Sequence, residues 1–439
     1  MKNARQIAFD ILIKIKKDNS YSNLTVDSIL SSSELNSRDY SFVCAIVYGV
    51  LERSITLDYT ISKYLSSPLK KLKPEVLIIL RMGVYQLLFM DKVPDSAAIN
   101  ESVKLAKSNK SAYASALVNA VLHKVQKNGL ALPDKDNNKT EYLSIKYSYP
   151  QWLIGKWIKY YGEENAVGIM EKSIGRPPMT ARVNTLKTTK SDLIKELEKE
   201  GVLCENTPIE NAINLYNTGD IEKLSAFKDG LFHIQDMASQ YCAMALGAKR
   251  GEVVLDLCAA PGGKSFTIAQ MMENEGSLLS FDIFEHRVGL IEQGAERLGI
   301  NIIKASVSDA ERFNSDIGMA DRVLCDVPCS GLGIIRRKPE IRLKSPEDID
   351  KLPNIQYVIL VNASKYVKKG GRLIYSTCTL NKQENEKVCK RFLEENKNFK
   401  AVKVLPEVKR FNNDDKFITL LPHINNTDGF FICALERTE

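Results

Sequence analysis

The sequence predicts a multidomain chain: an all-α bundle, a small α+β connecting domain and an α/β domain on a mainly parallel sheet. Three observations carry this. In residues 1–130 apolar positions recur at steps of three and four, and no run alternates as a strand would. Residues 128–145 are polar and turn-rich, and the pattern changes after them. From residue 250 strand-like and helix-like runs alternate, as in a parallel sheet covered by helices on both faces.

The elements follow in order. Val47, Leu51, Ile55, Asp58, Ile61 and Leu65 share one helical stripe, which predicts a single helix. Pro68 and Pro74 bracket its end and the next start. Residues 76–89 are apolar almost all round, so they predict the buried central helix of a bundle. Residues 115–127 give another amphipathic helix. The expected domains are a helical one at 1–130, a connecting one at 146–235 and a sheet domain at 236–439, with a linker at 128–145. In the connecting domain a short helix follows Pro150, a strand runs over 179–184, and a helix over 191–201 ends on glycine. In the last domain strands are expected at 252–257, 277–282, 301–307, 321–326, 371–377 and 429–435. Helices are expected at 264–273, 286–298, 346–369 and 382–396. Such sheets bind ligands beyond the carboxyl ends of their strands.

The chain has 439 residues and a net charge of +7. Residues 1–150 hold 21 Lys and Arg against 14 Asp and Glu, while the other 289 residues hold 40 of each. The whole surplus therefore lies in the front third, which suits a polyanion-binding module on a neutral body. The longest apolar stretch, 76–90, is interrupted by Arg81, Gly83 and Gln86, and falls short of the roughly 20 residues a span needs. No signal-peptide core follows Met1. A soluble, cytoplasmic, monomeric protein without membrane contact is expected. Nine cysteines, with no Cys-x-x-Cys pair and no nearby histidine, are neither a disulfide framework nor a metal site.

Asp256-Leu-Cys258-Ala259-Ala260-Pro261-Gly262-Gly263-Lys264-Ser265 joins a predicted strand to a predicted helix. Small residues let a ligand approach the backbone, and the helix start favours an electron-rich group. Two ligands compete. Gly263-Lys264-Ser265 matches the second half of a phosphate loop, but Cys258 replaces its first glycine and Pro261 removes an amide donor. S-adenosylmethionine carries an ammonium, a sulfonium and a ribose, so it suits acids. Asp256, Asp282 and Asp309 follow three successive predicted strands, and Asp282 stands where an acid binds ribose hydroxyls in dinucleotide folds. This second ligand is preferred. The plain alternative is that Asp282 and Asp309 only cap the helices after them.

Two further motifs sit after strands: Asp326-Val-Pro-Cys329-Ser-Gly and Tyr375-Ser-Thr-Cys378-Thr. Single cysteines are mostly inert core residues, the reading given to Cys242, Cys258 and Cys325. Cys329 and Cys378 stand instead in polar turns that permit a reactive thiol. Carbon 5 of cytosine becomes nucleophilic only after a thiolate adds to carbon 6. A carboxyl and a second proton-handling group complete that chemistry, and Asp326 with the two thiols supplies the types.

These motifs resemble those of the RNA cytosine-C5 methyltransferases. The basic front end, with Arg38-Asp-Tyr, Val47-Tyr-Gly-Val-Leu-Glu-Arg and Val118-Asn-Ala-Val-Leu, is similar to the NusB-like RNA-binding domain of the RsmB (Sun) branch. The resemblance spans essentially the whole chain. It implies a Rossmann-like methyltransferase domain, S-adenosylmethionine as donor and small-subunit (16S) ribosomal RNA as partner. It implies that Cys378 attacks, Cys329 assists release, and Asp326 binds the target base beside Lys264. It further implies cofactor contacts from Cys258, Ala259, Ala260, Pro261, Gly262, Gly263, Lys264, Asp282, Asp309 and Asp326. Ser308 departs from the family's usual glycine before Asp309. Arg336, Arg337, Lys338, Arg342 and Lys344 follow the Cys329 turn and are expected to contact RNA phosphates. A phosphate-loop NTPase and an inactive RNA-binding assembly factor are the competing functions.

Overall fold

The computed structural model describes residues 3–18, 22–30, 35–109, 111–411 and 416–439. They fall into two compact units, Met1–Gly175 with Ile335–Lys344, and Arg176–Ile334 with Ser345–Glu439.

The first unit is helical among its described residues. Pro74–Phe89 is its central helix, opened by Pro74 at a position where the missing N–H costs nothing. Val76, Ile78, Ile79, Leu80, Met82 and Val84 are buried on it. It packs against Ala4–Asp18, Ser37–Glu52, Ser54–Ser62, Asp95–Ser108 and Ser115–Asn128. The stripe from Val47 to Leu65 is not one helix. Arg53 leaves helical geometry at φ −101°, ψ 11°, and the axis bends by 73° there. Apolar spacing survives a one-residue break, so periodicity does not reveal it. Asp58, polar within that stripe, receives Arg81 Nε and Nη2 at 2.7 and 2.6 Å. The expected linker also contains structure: Lys139–Tyr147 is a helix whose first turn is capped by Asn138, which accepts from Glu141 N. Gln151–Tyr161 follows Pro150, then Glu163–Lys172.

Arg342 belongs to this unit and corrects the expectation of a phosphate contact. It is 1% exposed. Its guanidinium lies over the Tyr149 ring, 4.6 Å from the centroid, and donates to the carbonyls of Glu52 and Ser148. A basic run beside a motif reads as a nucleic-acid surface, yet a long-range carbonyl pair has claimed this member. Arg336, Arg337, Lys338 and Lys344 are partly exposed.

The second unit holds two sheets. The smaller is antiparallel with order β2-β3-β1-β4, where β1 is Met179–Val183, β2 Leu203–Asn206, β3 Ala212–Tyr216 and β4 Phe232–Ile234. Only β1 was expected. The helix Lys190–Lys199 between β1 and β2 is capped by Thr189 and followed by Gly201 at φ +80°. Asn184 Nδ2 donates to the carbonyls of Gly230 and Leu298, fastening this layer to the larger one.

The larger sheet has order β10-β12-β9-β8-β5-β6-β7, with β11 also paired to β12. Its strands are β5 Val253–Asp256, β6 Ser277–Asp282, β7 Ile303–Val307, β8 Ala320–Asp326, β9 Val367–Thr377, β10 Phe399–Val402, β11 Phe417–Leu420 and β12 Phe430–Arg437. The pairs among β5 to β9 are parallel, and β12 runs antiparallel to β9, β10 and β11. Helices Gly263–Met271, Glu285–Leu298, Leu352–Lys365 and Glu386–Glu395 connect the strands. The expected helix at 346–369 is shorter because Pro353 fits only its first turn, and its last residues have joined β9. The short strands β10 and β11 carry too little pattern to be foreseen.

Arg342→Ala should destabilise the first unit by about 3 kcal/mol, since two buried carbonyls lose their donor and the Tyr149 ring its cover. Urea unfolding checks this. The salt dependence of RNA binding should stay as in wild type, whereas a lost phosphate contact would flatten it.

Candidate active site

Strands β5 to β9 end in turns at one edge of the sheet, and the expected site residues lie there. After β5 the chain turns through Cys258–Gly262 into the helix Gly263–Met271. Gly262 sits at φ +107°, and a Cβ there would fall 2.4 Å from the Phe266 ring, so only glycine fits. Ala259 N donates to Phe281 O and Gly262 N to Ala259 O. Those amides are therefore committed within the protein. Lys264 Nζ points to Asp326 Oδ2 at 2.5 Å rather than outward. A phosphate cradle needs both the amides and the lysine, so the phosphate-loop reading does not fit.

Asp256 is 1% exposed at the end of β5. Oδ2 accepts from Ser265 Oγ at 2.7 Å, and Ser280 Oγ supports Ser265 at 2.9 Å. Oδ1 is buried with no partner. Burial raises this carboxyl to about 7, against the Ser265 hydrogen bond and the Lys264 charge. An unpaired buried acceptor beside a loop of small residues fits a ligand bearing an ammonium. Asp282 ends β6 and is shared: it accepts from Phe284 N and pairs with Arg287 at 3.2 Å. Asp309 lies after β7, accepts from Glu311 N at 3.0 Å and stands 3.4 Å from Arg312. Both acids close local turns on the backbone two residues on, and neither caps a helix: Phe284 is the N-cap of Glu285–Leu298, and Asn314 caps the short turn Ser315–Ile317.

Asp326 ends β8. Its Oδ1 accepts from Ser376 Oγ at 2.7 Å, and Cys242 Sγ donates to that same hydroxyl at 3.2 Å. Burial alone would lower the Lys264 ammonium, but the adjacent Asp326 charge prevails and holds it raised. Cys242 is pushed up to about 12 by burial, and burial also raises Cys258 and Cys325, in keeping with inert thiols. Cys258 is partly exposed at the loop, whereas Cys242 and Cys325 are buried.

The two turn cysteines meet. Cys329 Sγ and Cys378 Sγ are 3.1 Å apart and both are partly exposed. The hydrogen bond with Cys378, then burial, holds the Cys329 thiol well above its usual value. Gly333 N donates to Cys378 O at 3.0 Å, and Gly429 N to Gly333 O at 2.9 Å. A Cβ on Gly333 would lie 1.9 Å from Gly429 O, so backbone meets backbone here. Sequence reading missed Ser376, the supporting part of Cys242, and Gly333 with Gly429, because their partners are remote in sequence. Among the described residues no three His, Cys, Asp or Glu side chains gather as a metal site would require. No single described helix is long and apolar enough to cross a membrane.

Two outcomes follow. From about pH 4 to about 7 the folded chain keeps the Asp256 proton while the unfolded chain has lost it, so stability falls through that window and the loss is complete above it. Three pH units correspond to about 4 kcal/mol. Asp256→Asn should match wild type near pH 4 and exceed it progressively towards pH 8 in urea unfolding; parallel profiles would refute the assignment. Gly333→Ala, which must displace the Cys378 turn, should slow the reaction at this site about 100-fold in a single-turnover assay.

Comparison with known proteins shows the family. Residues 243–436 match the family described as 16S rRNA methyltransferase RsmB/F, residues 2–127 the NusB family, and residues 149–222 the RsmF/B-like ferredoxin-like domain. The "Probable ribosomal RNA small subunit methyltransferase B" of Bacillus subtilis (strain 168) is 39% identical over 99% of both chains. The protein of the same name from Synechocystis sp. is 33% identical over 100% of both. Ribosomal RNA small subunit methyltransferase B of Escherichia coli O1:K1 / APEC is 31% identical over 92% of this chain and 91% of that one. Among solved structures, PH0851 superposes with a TM-score of 0.84 and 28% identity, over 100% of this chain and 99% of that chain. NSun6 from Pyrococcus horikoshii, solved with SFG, shares the fold at TM-score 0.62 and 24% identity, over 67% of this chain and 99% of that one. With the helical front end, the connecting layer and the sheet domain each matched, the chain belongs to the RsmB/F family of S-adenosylmethionine-dependent 16S ribosomal RNA methyltransferases.

Proposed function

We propose that this methyltransferase acts on carbon 5 of one cytosine in small-subunit ribosomal RNA, through a covalent adduct on Cys378, as a cytoplasmic monomer. The observation that carries the reading is the 3.1 Å approach of two partly exposed sulfurs beside a carboxylate held by Lys264 and Ser376. One chain supplies all these groups. Residues 1–130 gather RNA, 146–235 connect and 236–439 react.

The target base leaves its stack to reach the sulfurs, as a ring inside a helix could not. Residues Cys258 to Lys264, Asp282, Asp309 and the edge of Asp326 hold S-adenosylmethionine, which supplies the methyl group when bound. Either sulfur can donate in the 3.1 Å contact; in this reading Cys329 holds the proton and Cys378 is the attacking thiolate. Its sulfur adds to carbon 6, and the ring electrons move to carbon 5, which takes the methyl group. Asp326 hydrogen-bonds the ring edge while Lys264 keeps a compensating charge beside it.

Release needs the carbon-5 proton removed. Once Cys378 is alkylated, Cys329 loses the hydrogen bond that most raised its thiol. Being partly exposed, it can then pass its proton to solvent water and serve as base. As the carbon-5 proton moves to Cys329, the electron pair of that C–H bond expels the Cys378 sulfur from carbon 6. The two thiols exchange acid and base roles within one turnover.

Cys378→Ala should abolish methyl transfer and adduct formation, a loss of at least about 1,000-fold. Cys329→Ala should instead accumulate a protein–RNA species that survives denaturing electrophoresis. Bisulfite sequencing of ribosomal RNA from cells with and without the gene identifies the base; an unchanged cytosine map would refute carbon 5. Normal ribosome assembly with Cys378→Ala would separate an assembly role from the chemistry.

A further inference from the structure

Glu384 is fully buried, and no salt bridge reaches it among the described residues. A buried carboxylate without a cation is costly unless hydrogen bonds satisfy it. Four donors do so. Ser330 N and Gln356 Nε2 donate to Oε2 at 2.8 and 3.0 Å, and Ser330 Oγ and Asn381 Nδ2 donate to Oε1 at 2.5 and 2.8 Å.

These donors surround the two thiols. Ser330 follows Cys329, and Gln356 Nε2 also donates to Pro328 O, which precedes it, at 3.0 Å. Ser330 Oγ meets Thr379 Oγ1 at 2.7 Å, and Thr379 follows Cys378. Asn385, next to Glu384, accepts from Thr377 Oγ1 and donates to Thr379 O, so Cys378 is pinned on both sides. Each cysteine turn is thereby held through its flanking residues.

We propose that Glu384 is a positioning residue for the release step, clasping the Cys329 turn to the Cys378 turn through Ser330 so that the second thiol stays over the ring bonded to the first. This rests on the two-thiol reading above. A neutral amide has only one acceptor atom, so Glu384→Gln keeps the volume but turns two of the four donors against an N–H group.

The test separates adduct formation from adduct release. With ribosomal RNA and donor, Glu384→Gln should form the denaturation-resistant adduct within about threefold of the wild-type rate but hold it at least about tenfold longer. A simple loss of folded protein would lower both steps together. A second readout needs no RNA: diamide oxidises the two thiols to one disulfide, their hydrogens passing to its N=N bond. Folded wild type should close the Cys329–Cys378 disulfide at least about fivefold faster than Glu384→Gln. Ser330→Ala carries the same test if the glutamine variant melts below the assay temperature. Wild-type release together with wild-type disulfide closure in folded variants would overturn the proposal. If Cys329→Ala traps no adduct, the two-thiol reading fails instead, and disulfide closure still decides whether Glu384 places the sulfurs.

Discussion

The parallel pairing of β8 with β9 is the constraint on which the site depends. It sets Asp326 opposite Ser376. From that level the chain runs three residues to Cys329 on one side and two to Cys378 on the other. Neighbouring strand ends lie about 4.8 Å apart, so turns of these lengths bring their sulfurs within contact without strain in either strand. The same register puts the Ser376 hydroxyl on Asp326 Oδ1, leaving Oδ2 for Lys264. A slip of one residue would turn Ser376 to the other face and disconnect the acid from the thiols.

Polar burial around this edge is resolved in different ways, and each suits a different task. The Lys264–Asp326 pair carries its own counter-charge, so a charged carboxylate can persist at the pocket rim. Asp256 is buried with one oxygen left without a partner, and burial outweighs the Ser265 hydrogen bond and the Lys264 charge, so it retains its proton to about pH 7. It is thus the group most ready to change state when a positive ligand arrives. Glu384 has four donors and no orphaned oxygen, which makes it a rigid brace. Arg342, in the helical unit, is held by carbonyls and an aromatic face and stays out of the chemistry.

What could be read from the sequence was what local pattern encodes. Parallel strands are short, mostly apolar runs, so β5 to β9 and the loops at their ends were visible, and with them the residues proposed for the site. Asp256, Asp282 and Asp309 were placed by strand ends alone. Partner choice over long separations was not visible. Nothing near Glu384 announces Ser330, 54 residues away, and nothing near Arg342 announces Ser148, 194 residues away. The antiparallel partners of β1 were missed for a related reason: three- and five-residue strands gain their stability from pairing rather than from their own composition. The bend at Arg53 escaped because apolar spacing reports a face and is silent on direction.

Gly263-Lys264-Ser265 shows how partners decide what a motif does. The same three residue types can end a phosphate cradle, where free amides and an outward lysine bind anions. Here Asp256 occupies the space behind the loop, Ser265 turns inward to it, and Asp326 captures the lysine. Each substitution of an acid for a phosphate oxygen reverses the sign of charge the pocket favours. A site that has neutralised its lysine and left a buried acid oxygen unpaired selects a cationic donor over a polyanion. The helix start and the glycines are unchanged between the two cases; two carboxylates at strand ends make the difference.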